Sequence, residues 1–326
     1  MATPVLDAAQ AAIPRYAAVL HSQEFRAELE RRCTGEWHWG TPHDVRVQPL
    51  KWHRERCTFE LSLRTDEGWR ALIGKVFEAD QPRAFATMQA IRDAGFAGET
   101  EFAIPRPLAY LPSLRVLLEE KVDGPSAKQI LLTRGHDEQR AAARRCGQWL
   151  ARFHATAPAR GQVVEPGAEL DRYRQWADSV AQFGEPLAAA SRLLYARLAE
   201  AAPRGVEPRA SHGSYIPEHV LLSGPRTVVI DLDESVLADP GQDIAWFMVS
   251  VQRLALVHLG SLHALDGAAE EFLGAYMASG GAAAVRHVPY YRALECLHRA
   301  RRDLVKRAPP VPHWAALMLE EGLTAL

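Results

Sequence analysis

Between residues 211 and 243 the chain places His212, Ser214, His219, Asp231, Asp233, Asp239 and Asp243. Asp231 and Asp233 close the apolar run Val228–Val229–Ile230. Two like charges so near each other repel unless a cation or a donor lies between them. Magnesium takes hard oxygen ligands, a few from the protein and the rest from phosphate and water, so this pair suits a metal–phosphate complex. Asp239, just before Pro240, starts a turn. Ser214 and His212 also invite a nucleophile–base reading, but they lie two residues apart on one loop and no G-x-S-x-G elbow accompanies them. No G-x-G-x-x-G follows a strand, which removes dinucleotide chemistry.

The elements that must carry these residues change character near residue 125. Before it, period-two segments run over Asp44–Trp52, Cys57–Thr65 and Trp69–Phe77, joined by the polar turns HRER and DEG, which predicts an antiparallel meander. Pro82–Ala94 has helical apolar spacing, opened by proline and closed by Gly95. IPRPL reads as a loop leading to a strand over Leu114–Lys121, and VDG breaks that strand. Farther on, helices are expected over Gln139–Ala155, Leu170–Phe183, Leu187–Ala202, Ala268–Met277 and Tyr290–Leu304. HVLL, the turn SGPR and TVVID predict a hairpin that delivers Asp231 and Asp233 at a strand end.

At 326 residues, with 48% hydrophobic and 24% charged side chains, the chain is long for one core and comfortable for two lobes sharing a cleft. Its 38 basic and 40 acidic residues are scattered, leaving a formal charge of −2, so neither nucleic acid nor an anionic membrane surface is an expected partner. The start, MATPVLDAAQAAIPRY, lacks a basic n-region and a continuous apolar core; it is expected to be a short amphipathic helix, not a secretion signal. The longest apolar run, Ala245–Gly260, is interrupted by Gln252 and Arg253 and is too short to span a bilayer, so it should be a buried helix. The four cysteines lie far apart with no C-x-x-C pair, and the 13 histidines are dispersed; reduced thiols in a cytoplasm are the expectation.

On these residues a resemblance becomes specific. HGSYIPEHVLL, VVIDLDE and LADPGQDIAWF resemble the catalytic hairpin of the aminoglycoside phosphotransferase and choline kinase family: H-G-D, four residues, N or Q, a short strand, I-D-x-D/E, and a D-P-x-x-D helix entry. ALIGKVF resembles the family's lysine strand, LRVLLEEKVDG its hinge and WLARFHA the helix before the catalytic loop, so the likeness spans roughly residues 40 to 310. It implies an α+β, bilobal protein-kinase-like fold: an N-terminal helical extension over 1–39, a small antiparallel-sheet N-lobe over 40–121 and a larger helical C-lobe over 122–326 that holds the hairpin 211–234. It also implies ATP with Mg2+ or Mn2+. Lys75 is assigned to the phosphates, the hinge residue Glu119 to the nucleotide, Asp231 and His219 to the metal, and Asp243 and His212 to bracing the catalytic loop; Arg54 and Arg56 either grip phosphate through their guanidinium forks or form only a solvated turn. The helical stretch from Asp171 to Ala202, with Arg172, Arg174, Trp176 and Tyr195, would build the substrate pocket.

The pattern departs from the family in three places. Ser214 stands where the base aspartate is expected, and His219 where a metal-binding asparagine or glutamine is expected. No glutamate lies between Glu78 and Glu99 to pair with Lys75 from the following helix; Thr87 and Gln89 are the nearest equivalents. The segment LKWHRERC also lacks the glycine that would let backbone approach phosphate. A positioned base contributes about 10²–10⁴-fold, while phosphoryl transfer rests mainly on positioning and charge. The expectation is a family member that binds a nucleotide or small ligand with weak or no ordinary kinase activity, and with a protein partner if it is a pseudokinase. The alternative is an active O-phosphotransferase of a small hydroxylated metabolite or antibiotic, with Asp233 as substitute base and Glu218 as a second carboxylate able to move into the gap.

Overall fold

The computed structural model describes residues 16–52, 55–98 and 100–326. The lead-in helix expected at the start falls almost wholly outside them, as does Arg54. The chain divides into two compact units, Met1–Asp123 and Gly124–Leu326.

Among the described residues, the first unit is built on a five-stranded antiparallel sheet flanked by helical segments. After α1 (Gln23–Thr34) come β1 (Asp44–Trp52), β2 (Arg56–Thr65), β3 (Gly68–Phe77), α2 (Pro82–Ile91), β4 (Pro107–Leu111) and β5 (Val116–Glu120). The sheet order is β1-β2-β3-β5-β4, so β3 is central and β4 lies on an edge. Strict alternation along β2 buries Cys57, Phe59, Leu61, Leu63 and Thr65 on one side. The α1 residues Phe25, Leu29 and Cys33 belong to the same buried cluster, with Phe25 edge-on to Phe59 at 6.2 Å. Gly74 lies opposite Phe59, where an added Cβ would come within 2.1 Å of the ring; the missing side chain makes room for the aromatic. The expected IPRPL loop is shorter than the sequence suggested: residues 104–106 are loop, but Pro107 opens β4, and an edge strand tolerates the lost N–H donor.

The second unit is mainly helical: α3 (Ala127–Thr133), α4 (His136–Thr156), α5 (Leu170–Ala181), α6 (Leu187–Ala201), α7 (Pro240–Leu259), α8 (Asp266–Tyr276), α9 (Val288–Arg301) and α10 (Pro312–Ala325). Short strands intervene: β6 (Arg209–Ser211), β7 (Val220–Ser223), β8 (Arg226–Val229) and β9 (Val236–Ala238). The apolar run anticipated as a buried helix is α7, buried from Pro240 to Leu256 but for Gln242 and Trp246. Gly147 of α4 lies so near α8 that a Cβ there would stand 2.3 Å from the Phe272 carbonyl oxygen. No helix is long and apolar enough to cross a membrane among the described residues.

Candidate functional site

The candidate residues fall into two groups, one in each unit. In the sheet unit Lys75 lies on the central strand β3, only 3% exposed. That rules out an edge lysine kept for solubility. A buried ammonium needs a counter-charge, and Glu119 of β5, 4% exposed, supplies one, with Nζ 3.7 Å from Oε1. The register sets Lys75 opposite Leu117 and Glu119 opposite Ile73, so the pair is diagonal across adjacent strands. The partner expected from the following helix thus comes instead from the hinge strand, which gives Glu119 a role in holding the lysine. An acid directly after the apolar run Val116–Leu118 was the available signal, since a buried carboxylate demands a cation nearby. Arg56 opens β2 and is half-buried.

In the helical unit the hairpin forms as expected, with Val220 opposite Val229 and Ser223 opposite Arg226. The strand stops at Val229, earlier than TVVID suggested. Asp231 adopts a left-handed conformation, φ 66° and ψ 51°, and precedes a 3-10 turn over Leu232–Glu234. Aspartate tolerates this region better than bulky or branched residues. Asp231 and Asp233 are therefore presented by a turn, and the same-side relation that a strand imposes on residues i and i+2 does not apply to them.

Asp243, fully buried near the start of α7, organises the loop before the hairpin. Its Oδ2 accepts the His212 backbone N–H at 2.7 Å and Oδ1 the Gly213 N–H at 2.9 Å. His154 Nε2 also donates to Oδ2, at 3.0 Å, and Tyr276 O–H donates to His154 Nδ1 at 2.8 Å. Burial, with Asp243 and Asp239 nearby, pushes the Tyr276 phenol well above its ordinary pKa, so it stays a donor. The sequence pointed to Asp243 as a brace but missed His154 and Tyr276; a histidine inside the apolar helix end WLARFHA was the clue. Tyr215, fully buried, gives its O–H to the Cys146 carbonyl at 2.9 Å and stacks on Trp149.

His212 Nε2 donates to the Ile230 carbonyl at 3.0 Å, which leaves Nδ1 to accept from Ser214 Oγ at 3.4 Å. The loop thus brings serine and histidine closer than two-residue spacing on a loop suggested. The histidine's other nitrogen meets a carbonyl, however, and not the carboxylate that would orient and stabilise an imidazolium. His219 Nδ1 donates to the Ser214 carbonyl at 3.0 Å, and Nε2 faces Asp231 Oδ2 at 3.4 Å. Burial, with help from His212, lowers the His219 pKa to about 4 despite the opposing pull of Asp231. The neutral ring, with its hydrogen on Nδ1, turns a lone pair toward a carboxylate oxygen, an arrangement that a cation between them relieves. One carboxylate and one imidazole form a sparse donor set, and the nitrogen suits Mn2+ better than Mg2+. No cluster of three or more His, Cys, Asp or Glu suited to a metal occurs among the described residues. Glu218, the other carboxylate expected to be movable, is held by Lys128 of α3 at 2.9 Å.

Three of the expected substrate-helix residues have partners elsewhere in the helical unit. Arg172 and Arg174 are exposed and pair with Glu169 and Asp171 of the same segment, while Trp176 stacks on His298 at 4.9 Å.

A sheet unit with a buried lysine–glutamate pair, followed by a helical unit whose aspartate-braced loop leads into an acidic hairpin end, defines a kinase-like phosphotransferase fold. Residues 53–285 match the model of the phosphotransferase enzyme family designated APH, and the chain belongs to that family. Solved structures agree on the fold. A choline kinase from Cryptosporidium parvum superposes with a TM-score of 0.60 at 12% identity, covering 93% of this chain and 95% of that one. A choline/ethanolamine kinase family protein from Mesorhizobium loti gives 0.57 at 17% identity, with 96% and 94% covered. A macrolide 2'-phosphotransferase from Brachybacterium faecium gives 0.52 at 18% identity, with 91% and 98% covered. No curated protein sequence matches the chain.

Proposed function

We propose that the chain binds ATP together with Mn2+ or Mg2+ and transfers its phosphoryl group slowly or not at all, as a pseudokinase-like member of its family. The observation that carries this reading is Ser214: a neutral hydroxyl, turned to the buried ring of His212, stands where a carboxylate would take the acceptor's proton. Lys75, fixed by Glu119, would hold the phosphates, and Asp231 with neutral His219 the metal. The bound metal would shield phosphate charge, while the chain's own residues position it. The ADP-bound aminoglycoside phosphotransferase among the similar structures supports a nucleotide as the ligand class.

Two measurements test this. ATP with Mn2+ should raise the melting temperature, because a ligand of the folded state must stabilise it. Ser214→Asp should raise ATP-dependent phosphorylation of small alcohols by about 10²–10⁴-fold over wild type, the usual contribution of a positioned base. No thermal shift with either metal, or wild-type turnover at an ordinary kinase rate of about 1–100 s⁻¹, would refute the reading.

A second reading is favoured by one observation: the lysine keeps a buried carboxylate partner, so positioning survives better than the sequence indicated. On that reading the chain is an active O-phosphotransferase of a small hydroxylated acceptor, with Asp233 as base. Wild-type turnover that Asp233→Asn removes would select it.

A further inference from the structure

The helical unit contains a cavity of about 230 Å³ between α3, α7, the end of α9 and the turn that follows it. Six cationic side chains line it: Lys128, Arg253, Arg299, Arg302, Lys306 and Arg307. Three carboxylates stand against them, Asp303 beside Arg253, Glu295 beside Arg299 and Glu218 beside Lys128, so a positive excess remains. Like charges held this closely raise the energy of the empty pocket.

Arg253 is the second and independent sign. It is 8% exposed, and its Nη2 bonds Asp303, yet its buried Nη1 finds no partner among the described residues. An unsatisfied buried guanidinium nitrogen costs more than an ordinary missing hydrogen bond. Burial, with Arg307 and Arg299 adding to it, pulls Arg253 below the usual arginine range even beside Asp303. The forks are also held in place: the Arg253 and Arg307 guanidinium carbons lie 4.5 and 4.6 Å from the Trp314 ring centroid. Planar guanidiniums fixed in this way match the paired oxygens of phosphate. Leu254 and Val257 add an apolar wall, and the volume admits only a small molecule.

We propose that this cavity binds a small phosphomonoester, its phosphate on Arg253, Arg299, Arg302 and Lys306 and its short carbon skeleton against Leu254 and Val257. The site stands on the helical unit alone and does not depend on nucleotide binding or phosphoryl transfer. Isothermal titration with glycerol 3-phosphate tests it, run beside inorganic phosphate, glycerol and sodium chloride at matched ionic strength. The ester should bind, inorganic phosphate more weakly, and glycerol and chloride without measurable heat. The double variant Arg302→Gln/Lys306→Gln removes two exposed side chains without disturbing the core, and should weaken ester binding at least about tenfold. Asp231→Asn should leave that affinity unchanged. Chloride indistinguishable from the ester, wild-type affinity in the double variant, or an equal effect from Asp231→Asn would each overturn the proposal. Inorganic phosphate binding as tightly as the ester would overturn the role given to the apolar wall.

Discussion

His219 titrates well away from its ordinary range, and this gives the folded state a pH signature. Its pKa falls from 6.5 to about 4 on folding, chiefly because burial disfavours the charged ring. The unfolded chain therefore binds a proton between those values that the folded chain refuses, and stability must decline as pH falls through that window. That fall corresponds to about 3.4 kcal/mol in all. Between about pH 7.5 and pH 5, the linkage relation puts the loss at about 2 kcal/mol. Urea denaturation of the metal-free protein at both pH values, for wild type and His219→Gln, isolates this contribution, because every other titrating group is common to the two proteins. Wild type should lose about 2 kcal/mol more than the variant over that interval. Equal losses in the two proteins, or a larger loss in the variant, would refute the claim that burial outweighs Asp231 at this ring.

Two further perturbations probe the scaffold. Gly147→Ala should destabilise by about 3 kcal/mol, at the upper end of overpacking costs, because the new methyl meets the Phe272 backbone carbonyl and not a movable side-chain end; the denaturation midpoint reads it, and a neutral result would mean that α4 and α8 separate easily. Asp243→Asn turns an amide N–H₂ toward donors that now share two carboxylate oxygens, and should cost about 2–4 kcal/mol. Amide hydrogen exchange should quicken at His212 and Gly213 before it changes in α7, and uniform quickening throughout the unit would contradict a local bracing role.

Strand β2 was legible because one of its faces is buried, and alternation is then forced on the sequence; β1 and the first strand of the hairpin appear where the pattern put them. Failures occurred where long-range packing overrode a local signal. Pro107 reads as a loop residue until its place at a sheet edge is known. No helix was expected over α10; there Gly322, having no side chain, lets Leu194 and Cys296 pack close. At the site, loop residues with distinctive side chains could be read directly. Pairings that depend on register could not: the contact between Lys75 and Glu119 requires knowing that β5, forty residues on, lies next to β3.

The handedness of the backbone at residue 231 separates two demands that usually travel together. The metal role proposed for Asp231 asks for negative charge, and the chain path asks for a residue at ease with positive φ. Asparagine and glycine satisfy only the second, whereas glutamate satisfies the charge while straining the path. An allelic series at this one codon would therefore sort defects of folding from defects of ion capture, with asparagine as the neutral isostere against which every other allele is judged.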